Sequence, residues 1–286
     1  MRAPVNRPPR WRRVVALGDS YTEGMSDTEG MPPGEFLGWA DRLATILAAA
    51  SPEREIRYAN LGVRSRRVRD LTTEQVPAAL ALDPDLVVIF MGANDLVKRG
   101  ARPRDLVVEY DADVGRLRDA GIDVLMIAPY LPQEAGAGFL ARRFDDFADG
   151  LRDVARGRGA LLVEVRRFPD LSNRDNFADD RVHYRSSGHR RLAFRCAELL
   201  GVPDAAHLAG LDDDLHEDPI TPMLLWFFQD AIPWAWRRVR GRTAGLDKLA
   251  KHTGYVRVTA AGLEPGSGER PPRAGDGDTA RLETNN

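Results

Sequence analysis

The sequence has a single cysteine, Cys196, among its 286 residues. One thiol cannot form an intramolecular disulfide, which excludes a disulfide-stapled secreted fold and a cysteine-rich zinc module. Lysine is also scarce, and arginine supplies most of the 41 basic residues. These nearly balance the 43 acidic residues and give a formal net charge of -2. Because there is no basic excess, we do not expect the chain to bind nucleic acid.

Long apolar runs are absent as well. No stretch approaches the roughly 18–20 apolar residues of a membrane span. The first residues are basic and rich in proline, and the apolar run that follows them, 14–17, ends at Gly18-Asp19-Ser20. This run is too short for the apolar region of a signal peptide. We therefore expect a cytoplasmic protein.

Short apolar runs do occur, and they alternate with helical patterns between residues 13 and 200. The runs at 14–17, 56–60, 86–91, 124–128 and 161–165 are rich in Val, Ile and Leu. Continuous apolar character is typical of strands that are buried on both faces. Helical patterns lie at 39–50, 68–82, 104–120, 139–157 and 187–200. This alternation predicts an α/β fold, a three-layer α/β/α sandwich with a parallel sheet of about five strands.

Polar turns follow three of the predicted strands. Gly18-Asp19-Ser20 follows the first, the loop 60–65 the second, and Gly92-Ala93-Asn94-Asp95 the third. Ligands of parallel sheets bind beyond the carboxyl ends of the strands. We therefore expect these three turns to meet at one edge of the sheet and to form the functional site.

Ser20 needs a base to become a nucleophile, and histidine is the usual one. Of the five histidines, His183 follows Asp180 by three residues. In a tight turn this spacing lets the carboxylate accept a hydrogen bond from Nδ1–H and leaves Nε2 for the serine. A surface Asp–His pair that caps the last helix is the alternative. His189 lies in the opening turn of that helix, where we expect a capping or packing role.

A developing oxyanion needs hydrogen-bond donors. The backbone N–H of Ser20, the side-chain amide of Asn94 and a backbone N–H of the loop after the second strand could supply them. Asn after Gly is also ordinary turn chemistry, which is the alternative interpretation of Asn94.

The four motifs resemble the four sequence blocks of the SGNH (GDSL-type) hydrolases. Gly18-Asp19-Ser20, the loop 60–65, Gly92-Ala93-Asn94-Asp95 and Asp180-Arg181-Val182-His183 occur in the family's order over roughly residues 13–200. Each block alone is a weak signal, and four in order are a strong one. The resemblance implies a flavodoxin-like parallel sheet and hydrolysis of an ester, a thioester or a related acyl compound. It also implies that the reaction needs no metal.

The resemblance also implies residue roles. Ser20 would be the nucleophile and the first oxyanion donor, Asn94 the side-chain donor, His183 the base, and Asp180 the residue that orients it. The chain departs from the pattern at Tyr21, where the family has Leu at a packing position, and at Ser65, where the family has a glycine. If Ser65 needs a positive φ, the non-glycine residue costs about 1–2 kcal/mol of backbone strain. Gly62 is the alternative donor.

We divide the chain into four parts: a flexible basic N-terminus (1–12), an SGNH hydrolase domain (13–203), a C-terminal aromatic and basic helical extension (204–258) and a disordered tail (259–286). Within the extension, residues 223–242 combine an apolar stripe at helical spacing with three tryptophans and several arginines. They could contact a membrane surface or an acyl chain. We favour a helix that covers apolar surface of the hydrolase domain.

Two other signals do not carry a function. The letters of residues 136–141 fit a dinucleotide fingerprint, but the fingerprint must open a helix directly after the first strand of a βαβ unit. Asp179, Asp180 and His183 could be imagined as metal ligands, but a site needs three or four convergent ligands, and no other His or Cys is placed to help. We therefore expect no cofactor and no metal.

The sequence thus predicts a serine hydrolase that acts on a small-molecule carboxylic ester or thioester, and it leaves the oligomeric state open. The arginines at 64, 66, 67 and 69 adjoin the predicted site and could bind an anionic group, although a solvated helix face is the simpler explanation. The alternative function is therefore a catalytically silent module of the same fold that binds an anionic ligand.

Overall fold

Five parallel strands form the centre of the molecule, at the apolar runs that the sequence predicts. The computed structural model describes residues 10–98, 100–131, 138–180, 182–211, 213 and 249–264. The strands are β1 (Arg13–Gly18), β2 (Glu55–Asn60), β3 (Leu86–Phe90), β4 (Asp123–Ala128) and β5 (Leu161–Glu164). They pair in the order β5-β4-β3-β1-β2, all in parallel. The predicted α/β fold with five parallel strands is confirmed.

Two further strands extend the sheet and correct the sequence-based division of the C-terminal part. Strand β6 (His252–Thr259) pairs antiparallel with β2, and β7 (Gly262–Leu263) pairs antiparallel with β6. The division placed these residues in a helical extension and a disordered tail. Strand β6 lies between β2 and the two-residue β7, and the exposed Thr253 and Arg257 interrupt its buried residues, so β6 lacks the continuous apolar run that marks β1 to β5. The aromatic segment 223–242 lies outside the described residues.

Helices cover both faces of the sheet. Helices α2 (Gly38–Ala50) and α9 (Ser186–Leu199) pack on one face, with Trp39 and Leu192 fully buried. Helices α6 (Pro103–Asp119) and α7 (Gly138–Arg158) pack on the other, with Tyr110 and Phe147 in the core. The remaining helices of the described chain are short: α1 (Ser20–Glu23), α3 (Val68–Asp70), α4 (Val76–Ala81), α5 (Ala93–Leu96), α8 (Pro169–Ser172) and α10 (Ala205–Leu208).

The helix predicted over 68–82 is interrupted by a π-helical turn, Leu71–Gln75, between α3 and α4. The turn carries Gln75, a buried side chain that reaches the end of β1. Its Oε1 accepts from Gly18 N–H at 2.9 Å, and its Nε2 donates to Gly18 O at 2.8 Å and to Leu61 O at 3.1 Å. Single π-helical turns often occur at functional sites. Here the turn fixes the backbone that precedes Ser20.

A buried polar network joins the C-terminal strand to the loops at the sheet edge. Lys251 Nζ lies 2.6 Å from Asp41 Oδ2, and Tyr58 donates its hydroxyl to Asp41 Oδ1 at 2.7 Å. The Nδ2 of Asn60 donates to Asp41 Oδ1 at 3.2 Å and to Thr22 O at 2.9 Å. Because the carboxylate of Asp41 is buried, loss of its cationic partner would leave an uncompensated charge. The network therefore fixes the end of β2 next to α1.

No helix within the described ranges is both long and apolar enough to cross a bilayer.

Candidate active site

Ser20 begins α1 directly after β1, in a turn that only glycine permits at its first position. Gly18 has a φ of 153°, and a Cβ on it would lie 2.3 Å from Phe90 O. Asp19 is the N-cap of α1, and its Oδ1 accepts from Tyr21 N–H at 3.1 Å. The carboxylate thus satisfies a donor that the first helical turn leaves unpaired. The turn places Ser20 at the carboxyl edge of the sheet.

The structure brings Ser20, His183 and Asp180 into one hydrogen-bonded chain. Nε2 of His183 lies 2.7 Å from Oγ of Ser20, and Nδ1 lies 2.5 Å from Oδ2 of Asp180. Oδ1 of Asp180 accepts two backbone N–H groups, from Val182 and His183, each at 2.9 Å. This arrangement suits a neutral imidazole that donates from Nδ1 to Asp180 and accepts the Ser20 proton at Nε2.

The charges around His183 set its pKa. Burial lowers the pKa of His183, but the hydrogen bond and the negative charge of Asp180 outweigh it, so the pKa lies above its ordinary value of 6.5. Burial raises the pKa of Asp180, but the hydrogen bonds and charge of His183 outweigh it, so this pKa lies below 3.8. Asp180 is therefore anionic at neutral pH and stabilises the protonated imidazole.

Asn94 lies beside Asp19, on the turn that follows β3. Its Nδ2 donates to Oδ2 of Asp19 and to the backbone oxygen of Arg66, both at 3.1 Å. Burial is the main cause that raises the pKa of Asp19, to about 7. Both N–H groups of the amide are engaged, so a contact with an oxyanion would share or replace one of these bonds.

The loop after β2 presents Ser65 in a left-handed conformation with a φ of 69°. Because Ser65 is not a glycine, this positive φ strains its backbone, as expected from the sequence for a left-handed residue. No oxygen in the described part of the chain accepts a hydrogen bond from Ser65 N–H. The alternative donor is engaged, because Gly62 N–H bonds to Asn60 Oδ1 at 3.0 Å. These contacts favour Ser65 as the donor of this loop.

Both ends of the Ser65 loop are held by neighbouring turns. Glu23, at the end of α1, accepts from Arg64 N–H at 2.9 Å and forms an ion pair with the Arg64 guanidinium. Asp95, in α5, accepts from Val68 N–H at 3.0 Å, and burial raises the pKa of Asp95 to about 6. The loop is therefore fixed between the helix of Ser20 and the turn of Asn94.

Three other polar candidates have structural partners. His189 is buried, with Nδ1 accepting from Trp39 N–H and Nε2 donating to Met25 O, both at 3.1 Å. Burial lowers the pKa of His189 to about 4, so it is neutral and packs inside the fold. Arg64 and Arg66 each form an ion pair with a glutamate. Among the residues that the structure describes, no group of three His, Cys, Asp or Glu could hold a metal ion.

Gln75 and Glu23, which position the loops of the site, have no distinctive signal in the sequence. Gln75 lies in a segment with an ordinary helical pattern, and the only local signal is the proline two residues later. Glu23 lies three residues after Ser20, at a spacing that would equally suit a solvent-exposed helix face. Their roles depend on contacts across the fold.

Comparison with known proteins establishes the family of the chain. A model described as the GDSL-like Lipase/Acylhydrolase family matches residues 16–191, more than half of the chain. The chain therefore belongs to this family, and the resemblance to SGNH hydrolases is confirmed. As a member, it is a GDSL-type esterase, a hydrolase of acyl esters.

Individual relatives agree with this assignment. An acetylxylan esterase of Geobacillus stearothermophilus is 26% identical over 199 residues, 63% of this chain and 90% of that protein. LAE5, described as an alpha/beta hydrolase enzyme from the metagenome of Lake Arreo, is 27% identical with a TM-score of 0.56, over 66% of this chain and 94% of its own.

Three solved structures of Axe2, an acetylxylan esterase from Geobacillus stearothermophilus, are described as catalytic mutants. They carry alanine in place of a serine, an aspartate and a histidine. Each is 21% identical to this chain, with a TM-score of 0.56 over 66% of this chain and 93% of that one. At this identity the likeness establishes the fold alone.

Proposed function

We propose that this esterase is a serine hydrolase that cleaves a carboxylic ester or thioester through an acyl-enzyme. The observation that carries the proposal is the contact of Ser20 Oγ with His183 Nε2 at 2.7 Å, with Asp180 2.5 Å from the opposite ring nitrogen. A nucleophile, a base in contact with it and a third group that orients the base are the parts that acyl transfer to serine requires.

The proposed reaction follows from this geometry. Ser20 Oγ attacks the acyl carbon while its proton passes to Nε2 of His183, and a tetrahedral oxyanion forms. The protonated imidazole, stabilised by Asp180, gives the proton to the leaving alcohol or thiol as the bond to the acyl carbon breaks. Water then attacks the acyl-enzyme, with His183 again accepting a proton and returning it to Ser20.

Three groups would stabilise the oxyanion: the backbone N–H of Ser20, the backbone N–H of Ser65 and the amide of Asn94. Preorganised donors of this kind contribute strongly to acyl transfer, because they need no reorganisation when charge develops. The unengaged Ser65 N–H supports its assignment. Asn94 would exchange its bond with Asp19 or with Arg66 O for a bond to the oxyanion.

The relatives support the same set of roles. The described catalytic mutants of Axe2 replace a serine, and an aspartate and a histidine three positions apart. Asp180 and His183 have the same separation. The acetylxylan esterase activity of these relatives makes acetyl esters of carbohydrates the first natural substrates to test.

A panel of p-nitrophenyl esters of increasing acyl length tests the proposed function. We expect saturable release of p-nitrophenol, fastest for the acetate if the substrate is an acetyl ester. The dependence on chain length also measures the depth of the acyl site. Absence of turnover with every ester and with p-nitrophenyl thioacetate would contradict the proposal and favour the silent module that binds an anionic ligand.

Ser65→Gly tests the role of the strained position. We expect the variant to keep the kcat of the wild type, because the backbone N–H remains. We also expect stability to rise by about 0.5–1 kcal/mol, since the strain relieved exceeds the entropy that glycine adds to the unfolded chain. Kinetics and urea unfolding measure both. Ser26→Gly, at a φ of 74°, is the matched control for stability. A tenfold loss of kcat in Ser65→Gly alone would show that the hydroxyl is used.

A further inference from the structure

Tyr21 links the helix of the nucleophile to the loop of the base. It follows Ser20 in α1, and its ring is buried against Phe90, with ring centroids 4.6 Å apart and an interplanar angle of 25°. Its hydroxyl donates to the backbone oxygen of Val182 at 2.6 Å. Val182 directly precedes His183, so this hydrogen bond lies beside the contact between Ser20 and His183.

Hydrogen bonds within the loop connect its described residues, 178–180 and 182–184. Ala178 N–H donates to His183 O at 2.8 Å, and Oδ1 of Asp180 accepts two N–H groups of the loop. These bonds fix the shape of the loop, but they do not fix its distance from Ser20. Val182 itself is 38% exposed, so side-chain burial holds this point of the loop only weakly.

Stacking on Phe90 fixes the Tyr21 ring, and the phenol then fixes the Val182 carbonyl. Tyr21 is the residue after Ser20, and Val182 is the residue before His183, so the hydrogen bond joins the neighbours of the reacting pair. A leucine, which the family pattern has at this position, would fill the space but could not donate a hydrogen bond. The ring of Tyr21 also lies beside the imidazole of His183, with the two ring centroids 5.5 Å apart.

We propose that Tyr21 is a positioning residue whose hydroxyl sets the distance between His183 Nε2 and Ser20 Oγ. The inference rests on the proposed function, because that distance matters only if His183 takes the proton of Ser20. Small misplacements of a reacting group are costly in catalysis, up to about 10²-fold in rate for 1 Å.

Tyr21→Phe tests the inference, because it keeps the stacked ring and removes only the donor. We expect kcat for p-nitrophenyl acetate to fall about tenfold with KM unchanged. Tyr255→Phe is the matched control: Tyr255 is also buried, and its hydroxyl donates to a backbone oxygen, that of Leu82, at 3.0 Å, outside the site. We expect this control to keep kcat, although it loses a hydrogen bond of the same kind.

A second measurement keeps the inference testable apart from the proposed function. Hydrogen–deuterium exchange of the peptide that contains residues 178–184 should be faster in Tyr21→Phe than in wild type and in Tyr255→Phe. If kcat stays within twofold of wild type, or if exchange in this peptide is unchanged, the inference is overturned. If the wild type hydrolyses no ester, the proposed function fails, whereas faster exchange would still show that Tyr21 positions the loop.

Discussion

Ser20→Ala is expected to lower kcat for p-nitrophenyl acetate by a factor on the order of 10⁵–10⁶, with the fold unchanged. The substitution removes the only atom that can form the acyl-enzyme in the proposed mechanism. The side chain is small and lies at the start of α1, beyond the end of β1, so its loss leaves the packing of the sheet intact. Steady-state kinetics and circular dichroism measure the two parts of this expectation.

The control for Ser20→Ala is Ser51→Ala, which removes the hydroxyl of another buried serine, at the end of α2. That variant should keep the activity of the wild type. The residues of a triad act as a unit, so the double variant Ser20→Ala/His183→Ala should be no less active than Ser20→Ala alone. Substantial turnover by Ser20→Ala would mean that a different nucleophile carries the reaction.

Asp180→Asn is expected to lower kcat by about 10⁴-fold. An amide at this position can donate to Nδ1 of His183 and stabilise the tautomer in which Nε2 carries the proton. That tautomer cannot accept the proton of Ser20 Oγ. The substitution also removes the negative charge that stabilises the imidazolium in the transition state. Asp175→Asn, at an exposed position of the preceding turn, is the control and should leave kcat unchanged.

The same variant predicts a shift in the pH profile. His183 must be neutral to act as a base, so kcat/KM of the wild type should rise as pH increases through the pKa of His183, which lies above 6.5. Without the charge of Asp180, burial dominates and lowers this pKa, so the rising limb should move to lower pH. Asp19, with a pKa of about 7, and His183 act on each other's pKa, so the rising limb reports this coupled pair, and its shift between wild type and variant reports the loss of the Asp180 charge beside the pair. If kcat/KM rises over the same pH range in wild type and in Asp180→Asn, the role of Asp180 is contradicted.

The parallel core of the fold could be predicted because its strands are buried on both faces. Such strands are continuous apolar runs, and β1 to β5 all lie at the predicted runs. Strand β6 could not be found in this way, because Arg257 is exposed between the buried Val256 and Val258. The π-helical turn at 71–75 was also missed, since its residues continue an ordinary helical pattern.

The residues of the site were predictable where the chemistry is local. Asp180 and His183 are three residues apart, and Ser20 lies in the turn that follows a buried strand, so elementary rules on turns and parallel sheets predict that they meet. Contacts between loops were not predictable. The bonds of Asn94 to Asp19 and Arg66, and of Tyr21 to Val182, depend on side-chain directions that no sequence spacing encodes. The cytoplasmic location and the role of residues 223–242 stay predictions.

Labelling with a fluorophosphonate, followed by mass spectrometry of the proteolytic peptides, is the sharpest test of Ser20 as a nucleophile that His183 activates. The reagent phosphonylates a serine only where a base activates its hydroxyl, and it does not depend on knowledge of the natural substrate. We expect one adduct, on Ser20, in wild type, and none in Ser20→Ala or His183→Ala. An adduct on another residue, or equal labelling of wild type and Ser20→Ala, would contradict this expectation.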